Sequence, residues 1–160
     1  MIILGIDPGS TRMGYGIISG PKKLELIDYG VIEIKRKISA ELIKEAGEKI
    51  DELIKKYKPD TAGVEKIYFS KNVKTGIEVA QTRGAIILEI AKNNIPIKEL
   101  SPSEIKLSVT GYGLADKKTV AKMVSKILNT EKIKGFDDAS DALAVAIAAA
   151  NHFPLDAPKY

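Results

Sequence analysis

Four acidic residues occupy positions from which their carboxylates could act together. Asp7 ends one short apolar run and Glu65 ends another. Asp138 and Asp141 open an alanine-rich stretch, three residues apart and therefore on one face of a helix. Converging carboxylates repel one another unless cations lie between them, and oxygen ligands suit Mg²⁺ or Mn²⁺. Two such ions, about 3.5–4 Å apart, can activate a water and stabilise the leaving oxygen of a phosphodiester.

Each of these acids also has a purely structural interpretation. Asp7 precedes a Pro-Gly turn and could hydrogen-bond to the backbone of that turn. Glu65 could pair with Lys66 or simply end a strand. Asp138, or its neighbour Asp137, could cap the last helix and stabilise its dipole. A metal site is therefore indicated by the four acids together and not by any one of them.

The hydrophobic pattern predicts the elements that would bring the acids together. Strands are predicted at 2–7, 14–18, 24–33, 61–65 and 97–100, and helices at 39–57, 75–93, 102–110, 117–128 and 138–151. Short turns join the first three strands into an antiparallel meander. Helices separate strands 1, 4 and 5, which should therefore be parallel neighbours with right-handed crossovers. The fold class is α/β, with a mixed five-stranded sheet flanked by helices on both faces.

Two helices carry distinctive local signals. Ser101, Pro102 and Glu104 form a capping-box signature with proline at the first helical position. The last helix is apolar nearly all round, which is typical of a helix that packs closely against a sheet. In a parallel sheet, ligands bind outside the carboxyl ends of the strands, where Asp7 and Glu65 are predicted to lie.

Composition limits the possible classes of protein. The chain has 160 residues, 44% of them hydrophobic, which fits one domain at 1–153 followed by a tail at 154–160. It has no cysteine, which excludes disulfides, thiolate metal sites and cysteine nucleophiles. The net charge of +4 is compatible with nucleic acid, although most lysine clusters are expected to be solvated surface. Neither a signal peptide nor a membrane-spanning run is recognisable, so a cytoplasmic location without membrane contact is expected.

A set of motifs, in order along the chain, resembles one enzyme family. They are Ile6-Asp7-Pro8-Gly9-Ser10 with Gly14-Tyr15-Gly16, Val64-Glu65-Lys66-Ile67-Tyr68-Phe69-Ser70-Lys71-Asn72, Ala80-Gln81-Thr82-Arg83-Gly84, Val109-Thr110-Gly111-Tyr112-Gly113 with Lys117, and Asp138-Ala139-Ser140-Asp141-Ala142-Leu143-Ala144. This ordered set resembles RuvC-type Holliday junction resolvases, which are crossover junction endodeoxyribonucleases with an RNase H-like fold. The resemblance covers nearly the whole chain.

The resemblance implies a mechanism and partners. It makes Asp7, Glu65, Asp138 and Asp141 the catalytic tetrad, holding Mg²⁺ or Mn²⁺, with two ions per site. The family acts as a homodimer that makes paired nicks in four-way DNA junctions during recombination and repair, and works with the RuvA–RuvB branch-migration complex. A two-fold dimer supplies one active site per cut strand. The helix at 75–93 could supply the dimer surface through Ile77, Ala80, Gly84 and Ile87, or these residues could face the sheet.

The resemblance also implies DNA contacts. Phe69 matches an aromatic that stacks on bases of the opened junction; its alternative is a core phenylalanine. Lys106 and Lys117 match basic residues beside the scissile phosphates, where they act as point charges, although either could be a solvated helix lysine. Lys71 and Arg83 are further expected DNA-binding positions.

Two rival functions remain open from the sequence. The Asp-Pro-Gly segment after strand 1 also resembles the first phosphate loop of actin-like ATPases and sugar kinases. Those proteins enclose ATP between two such domains, and the chain has length for one. The other rival is an RNase H-like domain that binds or processes nucleic acid without resolvase activity.

Overall fold

The computed structural model describes residues 1–20, 23–35, 39–68, 73–131, 133 and 137–153. Its strands are β1 (Ile2–Asp7), β2 (Arg12–Ser19), β3 (Glu25–Glu33), β4 (Thr61–Glu65) and β5 (Ile97–Leu100). Its helices are α1 (Ser39–Tyr57), α2 (Val73–Lys92), α3 (Pro102–Thr110), α4 (Lys117–Ile127) and α5 (Asp137–Ala150). The tail expected at 154–160 lies outside the described residues.

The strands form one sheet in the order β3-β2-β1-β4-β5. The first three strands pair antiparallel, whereas β4 joins β1, and β5 joins β4, in parallel. This confirms the predicted mixed sheet, in which helical crossovers precede both parallel strands. The carboxyl ends of β1, β4 and β5 therefore meet at one edge of the sheet.

Helices cover both faces of this sheet, as predicted. On one face α3, α4 and α5 bury a core that includes Ile3, Val124 and Leu143. On the other face α1 and α2 pack over Leu4 and their own buried isoleucines. Complete burial of an aliphatic side chain contributes about 1.5–3 kcal/mol, so the two cores hold the sheet rigidly between helical layers.

Helix α5 lies very close to the sheet because glycines beneath it have no side chain. A Cβ on Gly5 would come within 2.3 Å of the Ala142 carbonyl oxygen, and one on Gly14 within 1.9 Å of the Asp138 carbonyl oxygen. Both obstacles are backbone atoms, which cannot rotate away. Gly14 is also the register partner of Asp7, so the first turn of α5 lies at the Asp7 end of β1.

Most element bounds agree with the sequence prediction, with small differences at element ends. The capping box of α3 is formed: the Ser101 side chain accepts from the Glu104 amide, and the Ser101 amide donates to the Glu104 carboxylate at 2.7 Å. Helix α5 begins at Asp137, so Asp138 lies inside its first turn and is not the residue that caps it. None of the helices in the described ranges combines the length and apolar character that a membrane-spanning segment needs.

Candidate active site

Asp7 and Glu65 end adjacent parallel strands. The register aligns Ile6 with Val64, so the next residue of each strand carries its carboxylate to the same edge of the sheet. One face of α5 adds Asp141 there. These three acids line a cavity of about 290 Å³, together with apolar side chains of α3, α4 and α5. The structure thus brings three of the four predicted acids to one cavity, whereas Asp138 does not line it.

Two lysines complete the same cavity. Lys106 reaches it from α3 and Lys117 from the first residue of α4. Lys117 Nζ donates a hydrogen bond to Asp141 Oδ2 at 2.8 Å, and this contact raises the pKa of the lysine. Both lysines predicted to lie beside the scissile phosphate therefore face the carboxylates.

Asp7 is the most perturbed of the acids. Burial raises the pKa of Asp7 from its ordinary value of 3.8 to about 8, and the charges of Glu65, Asp141 and Asp138 act in the same direction. A hydrogen bond with Glu65 raises it further. At neutral pH and without a cation, Asp7 therefore keeps a proton that it can donate to Glu65.

Opposing influences act on Glu65. Burial raises the pKa of Glu65 above its ordinary value, while the hydrogen bond with Asp7 lowers it. The positive charges of Lys117 and Lys106 also lower this pKa, so they favour the ionised carboxylate. The pair Asp7 and Glu65 consequently shares one proton, as two carboxyl groups forced together in a buried site do.

Asp138 lies beside a cation, Arg12, that the sequence motifs did not single out. Arg12 Nε lies 3.5 Å from Asp138 Oδ2 across the start of β2. That oxygen is buried, and it has no hydrogen-bond partner among the described residues, so the contact with Arg12 is electrostatic only. In the sequence Arg12 stands two residues before the Gly14 motif, which alone gives no sign of a contact with the acids. The pairing of β1 with β2 shows that the chain near Arg12 lies beside the Asp7 end of β1.

The donor set fits a hard divalent cation. All four candidate ligands supply carboxylate oxygens, burial and then the neighbouring acids raise the pKa of Asp7, and a buried Asp138 oxygen lacks a hydrogen bond among the described residues. Within the described ranges, no three acidic or histidine side chains are already arranged as a metal-binding group. A proton, Arg12 and Lys117 neutralise the acids instead. A bound cation would compete with Arg12 and Lys117 for the carboxylates of Asp138 and Asp141.

Arg83, a further predicted DNA-binding residue, does not line this cavity. Arg83 lies on α2, where its Nε donates to the Glu65 carbonyl oxygen at 3.0 Å and its Nη2 pairs with Glu99 of β5. Its side chain therefore points to the sheet and not to solvent. Phe69 and Lys71 lie outside the described residues, so their roles stay predictions.

A larger groove of about 990 Å³ opens beside the cavity, and the two share Lys117 and Asp141. Its basic lining comes from α4, in the order Lys117, Lys118, Lys122 and Lys126. Helix α4 contains no acidic residue, so this wall is positively charged, and of its four lysines Lys117 pairs with Asp141. Such a groove is chemically suited to a polyanion whose reacting phosphate lies at the carboxylates.

Comparison with known proteins identifies the family. The family model described as "Crossover junction endodeoxyribonuclease RuvC" matches residues 3–149. The similarly described protein of Petrotoga mobilis is 45% identical over 153 residues, which is 94% of each chain. That of Clostridioides difficile is 44% identical over 163 residues, covering 98% of this chain and 94% of the relative.

Solved structures agree in fold. The RuvC structure of Thermus thermophilus superposes with a TM-score of 0.85 at 26% identity, over 95% of both chains. The same protein in complex with a Holliday junction substrate gives a TM-score of 0.87, over 95% of this chain and 94% of that one. The yeast mitochondrial Holliday junction resolvase Ydc2, 16% identical, shares the fold with a TM-score of 0.65. The extent of the family match, together with these relatives, shows that the chain belongs to the crossover junction endodeoxyribonuclease RuvC family.

Proposed function

We propose that this chain is a Holliday junction resolvase, a nuclease that makes paired symmetric nicks in four-way DNA junctions during recombination and repair. The observation that carries the proposal is the single cavity in which Asp7, Glu65 and Asp141 face Lys106 and Lys117. Acids alone would suit many cations, but acids beside lysines suit a cation and a phosphate together. Membership of the RuvC family supports the nuclease over an ATPase.

The four acids would hold Mg²⁺, or Mn²⁺, with two ions per site. Bound ions of this kind polarise the phosphate, activate a water and stabilise the leaving oxygen. Asp7 must release its proton to act as a ligand, and the buried oxygen of Asp138 is available as a further donor. The strand ends and α5 keep these donors in place because they belong to the packed sheet and not to loops.

Lys106 and Lys117 are proposed to hold the phosphate. Lys117 pairs with Asp141 in the structure, at 2.8 Å. With a cation held at Asp141, the Lys117 ammonium group would be available to contact a non-bridging phosphate oxygen as a point charge. Lys106 faces the same cavity from α3, so the two lysines would approach one phosphate from two directions.

Homodimerisation would place two such sites on one junction. Helix α2 presents Ile77 and Leu88 to solvent, 50% and 61% exposed. Gln81 and Gly84 are also exposed between them, at helical spacing on the same face. A glycine in an exposed apolar row permits close helix approach, which favours a two-fold contact through α2. Ala80 and Ile87, also predicted for this surface, are only half exposed.

The cellular setting follows from the family. We place the chain in the cytoplasm with the RuvA–RuvB branch-migration complex as its partner. Phe69 is proposed to stack on unpaired bases at the opened junction, where aromatic stacking contributes about 1–3 kcal/mol per base. Lys71 would add a phosphate contact beside it.

The decisive experiment compares a labelled four-way junction with a duplex of matched sequence, in Mg²⁺ or EDTA. We expect paired nicks in the junction only, and only with the metal. Asp7→Asn removes a ligand charge while preserving shape, so cleavage should fall by at least about 10²-fold while junction binding persists. Nicking by Asp7→Asn near the wild-type rate would refute the metal site.

The rival is an RNase H-like domain that binds junctions without cutting them. It predicts the same selective binding in EDTA but no products at any Mg²⁺ or Mn²⁺ concentration. The cavity disfavours this rival, because a domain that only binds DNA gains nothing from burying Asp7 at a pKa near 8 beside other acids.

A further inference from the structure

Arg83 joins three elements at the carboxylate edge of the sheet. Its side chain is 19% exposed and extends from α2 toward the strands. The Nε atom donates a hydrogen bond to the main-chain carbonyl oxygen of Glu65, at the end of β4, over 3.0 Å. The Nη2 atom pairs with the carboxylate of Glu99 on β5. One guanidinium therefore ties the helix to both parallel strands.

The Glu65 backbone is a point where such a tie matters. The register between β1 and β4 extends only as far as Ile6 and Val64, one residue before Glu65. On the opposite side Glu65 pairs with Leu100, and the Lys66 amide donates to the Leu100 carbonyl oxygen at 2.8 Å. The Glu65 carbonyl accepts its hydrogen bond from Arg83, so this side chain continues the support where the strand ladder stops.

The shape of the guanidinium suits this role. Its nitrogens form a rigid planar fork, so one side chain can satisfy a carbonyl and a carboxylate in fixed relative positions. A lysine offers a single flexible ammonium in their place. A phosphate contact made through Nε or Nη2 would take the donor from the part-buried Glu65 carbonyl or from the more exposed Glu99 carboxylate.

We propose that Arg83 is a positioning residue for the catalytic site, which fixes the Glu65 end of β4, and that Glu99 holds Arg83 in that geometry. This inference rests on the proposed nuclease function. It replaces the DNA contact expected for Arg83 from the family resemblance. Residues that orient metal ligands typically influence metal affinity or activity by about 10–100-fold, without touching the substrate.

The first test separates positioning from DNA binding. In Arg83→Ala and Arg83→Lys we expect the single-turnover cleavage rate to fall about 10–100-fold, or the Mn²⁺ concentration for half-maximal rate to rise as much. The junction Kd measured in EDTA, and its dependence on salt, should match wild type. A phosphate contact would instead weaken binding, reduce the salt slope by about one in the alanine variant, and be rescued by lysine. That second pattern would overturn the proposal.

Glu99→Ala distinguishes the two roles of Arg83, because they predict different effects on cleavage and on junction binding. If Glu99 holds Arg83 in position, Glu99→Ala lowers the cleavage rate. The double variant with Arg83→Ala should then cleave no more slowly than Arg83→Ala alone. If Arg83 contacts DNA, loss of Glu99 frees it and removes a negative charge, so junction binding tightens and cleavage does not fall. Lys92→Ala is the matched control. Lys92 lies on the same helix, and its ammonium group pairs with the Glu89 carboxylate at a distance of 2.9 Å. Neither residue of this pair lines the cavity. We expect this control to cleave at the wild-type rate.

Folding and function are distinguished by further readouts. Loss of folded protein lowers the reaction amplitude but leaves the half-maximal Mn²⁺ concentration unchanged, so an Arg83 variant with only reduced amplitude contradicts positioning. Mn²⁺ binding to the DNA-free protein, measured by calorimetry, should weaken in Arg83→Lys and remain normal in Lys92→Ala. A wild-type chain that never nicks would refute the proposed function. A nicking wild type with normal Arg83→Lys would overturn this inference alone.

Discussion

Asp7 combines a buried position with the repulsion of three neighbouring acids. Burial and these charges raise its pKa to about 8, whereas an unfolded chain would ionise this residue near 3.8. Asp138 and Asp141 lie beside side-chain cations, Arg12 and Lys117 respectively. The metal-free site is therefore a set of acids balanced by one proton and two side-chain cations.

This balance makes the stability of the metal-free protein depend on pH. Between pH 3.8 and about 8 the folded protein keeps a proton on Asp7 that the unfolded chain releases. The folded state binds more protons in this interval, so the free energy of unfolding decreases as pH rises through it. Neutral asparagine at this position removes that dependence.

We expect Asp7→Asn to melt at a higher temperature than wild type in EDTA at pH 8. The difference should approach zero near pH 4, and each ~1 kcal/mol corresponds to about 2–4 °C for a chain of this size. Mg²⁺ should then stabilise wild type and not the variant, because a ligand for the folded state adds stability. Parallel melting curves from pH 4 to 8 would show that Asp7 is not perturbed.

Acidic residue types at element ends indicated Asp7, Glu65, Asp138 and Asp141, whereas Lys106 and Lys117 were expected only from the family resemblance. The roles of Arg12 and Arg83 were not, because both depend on contacts between distant elements. The family motif assigned Arg83 to DNA, whereas its carbonyl partner is visible only once α2 is placed against β4. Residue identity predicts a charge, but tertiary packing decides which groups that charge contacts.

At the scale of elements, α5 determines whether a site forms. It adds Asp138 and Asp141 to the strand ends because it lies against glycine backbone in β1 and β2. The sequence predicted a helix packed closely on a sheet from its alanines, but which glycines lie beneath it required the sheet register. Local periodicity predicted α1 and β4 at the bounds observed, whereas β2 extends to Arg12 because it pairs there with Glu33.

Gly5→Ala tests this close approach. Its Cβ would lie 2.3 Å from the Ala142 carbonyl oxygen and 2.5 Å from the Ala146 amide nitrogen, so α5 would have to move. Overpacking of this kind costs about 1–3 kcal/mol, and displacement of the α5 acids should also reduce cleavage by the surviving folded protein. Thermal melting and cleavage per folded molecule measure the two effects.

Gly47→Ala serves as the control for Gly5→Ala. Gly47 lies within α1, and its added Cβ would meet only a Glu89 side-chain oxygen at 4.0 Å. Alanine is the better helix former by about 0.8–1 kcal/mol, so this variant should melt at or above the wild-type temperature. If both alanine variants behave alike, close packing of α5 on glycine is not what positions the acids.

At the scale of the whole molecule, the exposed faces of α2 and α4 have different chemistry. Helix α4 borders the carboxylate cavity with lysines, which suits a polyanion. Helix α2 instead exposes Ile77, Gly84 and Leu88 on one face, with one polar residue, Gln81, among them. A nuclease that cuts two strands of one junction needs two sites, and a two-fold contact through α2 would provide them without covering the α4 groove.

We therefore expect Leu88→Glu to abolish the dimer. The substitution would place a carboxylate from each copy in the proposed apolar contact, where neither could be solvated fully. Sedimentation should show a dimer for wild type at micromolar concentration and a monomer for the variant, with paired nicks replaced by slower single nicks. Leu107→Glu is the control, because Leu107 on α3 is similarly exposed, at 56% against 61% for Leu88. A monomeric wild type, or a dimer lost equally in Leu107→Glu, would refute the α2 interface.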